Sequence, residues 1–121
     1  MFNVATIGTS FITDEFLKAL AQVEDIRCTA MYTRAQAHAQ TLAERHGVSR
    51  IYTDLDEMLA SDIDIVYIAS PNALHAQHAE KALRAGKHVI CEKPLVGYFG
   101  RPGDPEPIGE KVSKKLMFEC L

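Results

Sequence analysis

The chain has 121 residues, 13 basic and 16 acidic, for a formal net charge of −3 with histidines neutral, and it is 47% hydrophobic against 24% charged. This is the composition of one globular domain with a core, and it excludes a disordered chain. The basic residues are outnumbered and scattered, so nothing argues for nucleic acid; no basic n-region opens the chain and no uncharged run approaches the ~18 residues that span a bilayer, so no membrane is expected and a cytoplasmic location is the default.

Strand-like and helix-like patterns alternate from Met1 to about Leu95, which predicts an α/β domain: a doubly wound parallel sheet with helices on both faces. Phe2 to Gly8 (FNVATIG) reads as the first strand, and Phe11 to about Val23 as a helix with Phe16, Ala19, Leu20 and Val23 on one face. Ile26 to Thr33 is a second strand, followed by an Ala-rich helix, Ala35 to His46, with Gly47 as its left-handed cap. Val48 to Thr53 is a short third strand. Asp54 with Glu57 is an acidic capping box opening a helix through Leu59, and Ile63 to Ala69 is a buried strand. Asn72 to Ala85 is the next helix, with Asn72 as a possible cap, Ala76, Ala79, Ala82 and Leu83 inward and Gly86 after it; His88 to Cys91 is strand five.

After Pro94 the composition changes. Gly97, Gly100, Gly103, Gly109 and Pro102, Pro105, Pro107 crowd one stretch, where regular structure is not expected. Ser113 could cap a final helix pairing Leu116 with Cys120 and Met117 with Leu121, although KLMFECL could equally be a strand. The expected division is a dinucleotide-binding unit over 1–95 and a Gly/Pro-rich insertion or tail over 96–121, with the chain stopping inside an element as a truncated product or fragment would. Cys28, Cys91 and Cys120 have spacings of 63 and 29 that fit neither zinc nor dithiol patterns, and they read as reduced packing thiols.

Chemistry is expected at the strand ends. IGTSFIT, Ile7 to Thr13, joins the first strand to the first helix where a dinucleotide domain puts three glycines for the bend, for backbone approach to pyrophosphate and for close helix packing; here Gly8, Ser10 and Thr13 hold those places. The helix amides and the Thr9 and Ser10 hydroxyls can still meet a phosphate, provided that Asp14 and Glu15 point outward. At the end of strand two, Tyr32-Thr33-Arg34 replaces the usual acid that reads a ribose 2′-hydroxyl, and Thr33 and Arg34 favour NADP over NAD; a surface arginine is the plain alternative.

Ser70-Pro71-Asn72 follows the fourth strand at the ligand-binding edge. His75 and His78 have a spacing that two imidazoles could use for one metal, but no third ligand is evident, so no metal is expected; His75 reads as a substrate or nicotinamide neighbour and His78 as solvated. Glu92-Lys93-Pro94 leaves strand five at the same edge, where Lys93 can polarise a hydroxyl or carbonyl and assist proton transfer; a structural Glu-Lys pair is the alternative.

Together, IGTS with Ile12 and Thr13, YTR at 32–34, ASPNALH at 69–75 and AGKHVICEKPL at 85–95 resemble the Gfo/Idh/MocA family, the glucose-fructose oxidoreductase and inositol dehydrogenase relatives, over residues 1 to about 95. The resemblance implies a Rossmann domain for NAD or NADP, joined in complete members to a C-terminal α/β domain that binds a sugar, cyclitol or similar hydroxy compound. It implies that Gly8, Thr9, Ser10 and Ile12 line the pyrophosphate, Thr33 and Arg34 the adenosine ribose, and Ser70, Pro71, Asn72 and His75 the nicotinamide side. Glu92 and Lys93 match the EKP motif, with Lys93 as the catalytic candidate. Ser10 departs from the usual second glycine, and residues 97–112 interrupt a region that most members run straight through. The family's Asp/His pair and substrate domain would lie beyond Leu121, so the expectation is a nucleotide-binding half that does not turn over substrate alone and lacks the family's C-terminal dimer sheet. A non-catalytic binding or interaction module, or a degenerate fragment, are the alternatives.

Overall fold

Apolar strands that lie side by side in parallel need cover on both faces, and the alternation of side chains along them decides which helix covers which face. The computed structural model describes residues 1–93. The strands are β1 (Phe2–Ile7), β2 (Ile26–Tyr32), β3 (Arg50–Tyr52), β4 (Ile65–Ile68) and β5 (His88–Cys91); the helices are α1 (Phe11–Leu20), α2 (Gln36–His46), α3 (Leu55–Leu59) and α4 (His75–Arg84), the last preceded by a 3₁₀ turn at Asn72–Leu74. The sheet is parallel in all its pairings, in the order β3-β2-β1-β4-β5.

One core packs Leu55, Met58 and Leu59 of α3 and Ala79 and Ala82 of α4 against Ala5, Ile7, Ala30, Val66 and Ile68. The other packs Leu17 and Leu20 of α1 and Ala39, Leu42 and Ala43 of α2 against Val4, Met31 and Tyr67. Neighbouring strand residues such as Val4 and Ala5, or Val66 and Tyr67, thus go to opposite faces, as the strand period of two requires. The helices stop for identifiable reasons. Gly47 ends α2 in the left-handed conformation at φ +67, and the Asp54 side chain accepts from the Glu57 amide to open α3.

Several expectations are corrected. α1 ends at Leu20, and its inward face is Thr13, Leu17 and Leu20, while Ala19 and Val23 are exposed, because the chain turns at Ala21 before a full further turn can form. The third strand shrinks to three residues, since pairing with β2 extends over Arg50, Ile51 and Tyr52 alone. Asn72 caps nothing with its side chain; it begins the 3₁₀ turn that Pro71 introduces. The segment 96–121, the 97–112 stretch, the element after Ser113 and Cys120 lie outside the described residues. Cys28 and Cys91 are free thiols, each pushed up to about 11 chiefly by burial, as packing thiols are. No helix among the described residues is long and apolar enough to cross a membrane.

Candidate functional site: a cleft at the carboxyl edge of the sheet

β1 leads by α1 to β2 on one side, whereas β4 lies on the other side of β1, so the strand order reverses between β1 and β4. Crevices in open α/β sheets form at that reversal, outside the carboxyl ends of the strands. A cleft of about 1050 Å³ lies there, lined by the segments that leave β1, β2, β4 and β5. It is as large as ligand pockets commonly are.

The β1–α1 turn supplies Gly8, Thr9, Ser10 and Ile12 to the lining. Gly8 has φ +112, and a Cβ on it would stand 2.5 Å from the Ala69 carbonyl oxygen and 2.7 Å from its carbon. Only glycine allows this turn to lie against the end of β4. Ser10 has φ −80 and ψ 178, an extended conformation open to any residue, which is why serine is accepted where a glycine is usual. Ser10 makes no side-chain bond to α1, so the first-turn amides are not capped from within the helix. Thr13 is fully buried under the turn, and its hydroxyl donates to the Gly8 carbonyl at 3.2 Å, which satisfies it in the third glycine's place.

Glu15 is exposed, as expected, but Asp14 does not point to solvent. Its carboxylate lies 2.6 Å from His46 Nε2 and 3.1 Å from Arg45 at the end of α2, and 3.3 Å from Lys18. The His46 bond, helped by Arg45 and Lys18, holds it down to about 2. Its charge is spent in tying α1 to α2, and it is absent from the cleft lining.

After β2, Tyr32, Thr33, Arg34 and His38 line the cleft. The Thr33 hydroxyl accepts from the Ala35 amide at 3.2 Å and donates to the Ala35 carbonyl at 3.0 Å, so it holds the turn that leads into α2. Arg34 is exposed, and the first turn of α2 carries no acid to oppose a phosphate. His38, in the first turn of α2, joins the lining without a signal in the strand-end pattern.

After β4, Ser70, Pro71, Asn72 and His75 line the cleft together with Gln77 and His78. Pro71 and Asn72 are exposed and Ser70 is buried. His75 is 1% exposed, with Nε2 2.6 Å from the Ser70 carbonyl oxygen. His78 is not solvated: it is 7% exposed, its Nδ1 lies 2.8 Å from Ser70 Oγ, and its ring meets Tyr32 edge-on. α4 keeps His75, His78, Ala79 and Ala82 inward, whereas the face expected from Ala76, Ala79, Ala82 and Leu83 leaves His78 out. Burial, with His75, Lys81 and Arg34 nearby, lowers the pKa of His78 below its ordinary 6.5.

At the end of β5, Lys93 is exposed and lines the cleft beside Glu92. Glu92 accepts a 2.7 Å hydrogen bond from the Tyr67 hydroxyl. The Tyr67 pKa is raised by burial and by Glu92, and its ring stacks on Phe16 at 3.7 Å. The carboxylate in the lining is thus engaged by Tyr67, while Arg34 after β2 and Lys93 after β5 bring positive charge to the cleft. A Cβ-free turn pressed to β4, an uncapped helix start and these cations suit an anionic ligand.

Compared with known families, residues 2–101 match the GFO_IDH_MocA model, described as the oxidoreductase family, NAD-binding Rossmann fold. The chain belongs to this family. Scyllo-inositol 2-dehydrogenase (NADP(+)) IolU of Bacillus subtilis (strain 168) is 50% identical over 96 residues, which are 78% of this chain and 29% of that protein. The structure of KijD10, a 3-ketoreductase from Actinomadura kijaniata in complex with NADP and TDP-benzene, superposes with a TM-score of 0.82 at 30% identity, covering 98% of this chain and 34% of that one. GenD2 from gentamicin A biosynthesis in complex with NAD gives 0.83 at 27% identity, over 98% of this chain and 31% of that one. This Gfo/Idh/MocA chain therefore spans about a third of the length of these relatives. Its domain is of the nicotinamide-dinucleotide class, with both NADP and NAD represented among the relatives.

Proposed function

We propose that this chain is the nucleotide-binding part of an NADP-preferring oxidoreductase whose substrate is a sugar, cyclitol or related hydroxy compound. The observation that carries the cofactor preference is Arg34, exposed on the cleft at the end of β2, where the first turn of α2 carries no acid. A carboxylate there would repel a 2′-phosphate, whereas a guanidinium forms charge-assisted bonds to it. The substrate class is supported by relatives such as the scyllo-inositol dehydrogenase.

In this reading Gly8, Thr9, Ser10 and Ile12 hold the pyrophosphate at the start of α1, and Thr33 shapes the bend that presents Arg34 to the ribose. Ser70, Pro71, Asn72 and His75 form the wall on the nicotinamide side. Glu92, fixed by Tyr67, sets the exit of β5 from which Lys93 extends. The Lys93 ammonium can then hydrogen-bond a substrate oxygen and hold or release a proton there. A bound nicotinamide supplies the hydride acceptor or donor. Substrate contacts belong to the further length that the relatives possess, so we expect dinucleotide binding without turnover from these 121 residues by themselves.

The test is a titration of the chain with NADPH and separately with NADH, by nicotinamide fluorescence or calorimetry, for the parent and Arg34→Ala. One or two charge-assisted bonds are worth about 1.5–3 kcal/mol, so the variant should lose about 10- to 150-fold in NADPH affinity and little in NADH affinity. Equal losses for the two dinucleotides would overturn the NADP preference, and saturable binding of neither by the folded parent would overturn the cofactor reading.

A further inference from the structure

Two imidazoles of α4 grip the Ser70-Pro71 turn, one through its backbone and one through its side chain. At His75 the direction of the bond is fixed: the partner of Nε2 is a carbonyl oxygen at 2.6 Å, which only accepts, so Nε2 carries the proton. At His78 chemistry alone leaves it open, because the partner of Nδ1 is the Ser70 hydroxyl, which can donate or accept.

Two features decide it. The site disfavours a cationic ring at His78, because burial is joined by His75 and Lys81 on its own helix and by Arg34 beyond the end of β2, so only one nitrogen carries a proton near pH 7. With Nδ1 as acceptor the proton sits on Nε2, the nitrogen that imidazole itself prefers to protonate. Ser70 therefore gives its proton to His78 and keeps only lone pairs for other partners. Both residues line the cleft, so this polarity bears on whatever fills it.

We propose that His78 is a positioning residue of the dinucleotide site: by taking the Ser70 hydroxyl proton it makes Ser70 an acceptor, which at that point of the cleft receives a ribose hydroxyl and turns away the phosphates. This rests on the dinucleotide reading of the cleft. A lone pair attracts the O–H of a ribose and repels a phosphate oxygen, so the pair fixes which part of the cofactor lies beside β4.

Long-range ¹H–¹⁵N spectra of the labelled chain without ligand read the tautomer directly. A protonated Nε2 and bare Nδ1 on His78 are expected; a protonated Nδ1 would overturn the proposal. NADPH titrations then compare His78→Phe, which keeps a ring against Tyr32 but has no acceptor, with His78→Asn, whose amide oxygen can take the place of Nδ1. Phe should weaken binding about tenfold and Asn should restore it to within about threefold of the parent. Equal binding by parent and Phe variant, or an Asn variant as weak as Phe, would overturn the role given to His78. If the folded parent binds neither NADPH nor NADH, the dinucleotide reading falls and this proposal with it; if it binds and the tautomer or the rescue fails, only the role of His78 falls. The tautomer measurement on the parent decides the case even if a variant does not fold.

Discussion

Gly8→Ala is the sharpest perturbation of the cleft. The new methyl group would be placed 2.5 Å from the Ala69 carbonyl oxygen, 2.7 Å from its carbon and 3.0 Å from the Ser70 nitrogen, all of them backbone atoms of β4's exit. The residue would also have to keep φ +112, a conformation that costs a side chain about 1–3 kcal/mol. Relieving the contact by moving backbone adds an overpacking cost of about 1–3 kcal/mol, for a total of about 2–6 kcal/mol. A domain of this size has roughly 5–14 kcal/mol of stability in all. At ~4–8 °C per kcal/mol, even the lower bound lowers the melting temperature by about 8–16 °C. Urea and thermal unfolding followed by circular dichroism measure this directly. Ser10→Ala is the control: Ser10 is extended and makes no cap bond, so its stability should stay within about 0.5 kcal/mol of the parent. A Gly8→Ala chain as stable as the parent, or a Ser10→Ala chain equally damaged, would refute the argument that the turn is pressed against β4.

Thr6 Oγ1 is a buried hydroxyl without a hydrogen-bond partner among the described residues, so Thr6→Val, which keeps the shape, should stabilise the chain by about 1 kcal/mol in denaturant titration; a loss would show that the hydroxyl is satisfied. Tyr67→Phe removes the 2.7 Å bond to Glu92 and should cost about 1 kcal/mol, while the Phe16 stack remains; no loss on unfolding would mean that Glu92 is held by other means. Asp14 is depressed from 3.8 to about 2, so the stability from its ties to α2 is complete above pH 4, where the unfolded carboxyl is also ionised. It is lost as pH falls through that interval. The urea unfolding midpoint of Asp14→Asn should therefore vary less over pH 2–4 than that of the parent, and identical profiles would refute the assignment.

The strand–helix alternation was legible because each element carries its own period: FNVATI alternates between two buried faces, and Gly47 stops a helix wherever that helix lies. The candidate site was legible to the extent that it is local. The predicted residues, from Gly8 to Lys93, lie in the segments that leave the strands or in the first turn of the helix that follows, and parallel strands bring such ends to one edge. His38 and His78, which no strand-end motif marks as ligand neighbours, are not legible in this way, because a helical residue's neighbour is set by the helix's rotation on the sheet.

The sequence by itself therefore determined the order and kind of the elements, the family, and which loops carry chemistry, all of which follow from short-range periodicity and contiguous motifs. The tertiary structure alone decided the partners. Asp14 turned to His46 instead of solvent, Glu92 to Tyr67 instead of Lys93, and His78 to Ser70. Those pairs join residues between 8 and 32 positions apart, and nothing in the local pattern of either partner encodes the other. They exist because packing two helical layers on one sheet takes polar groups wholly or partly out of water, and such groups gain from hydrogen bonds within the protein.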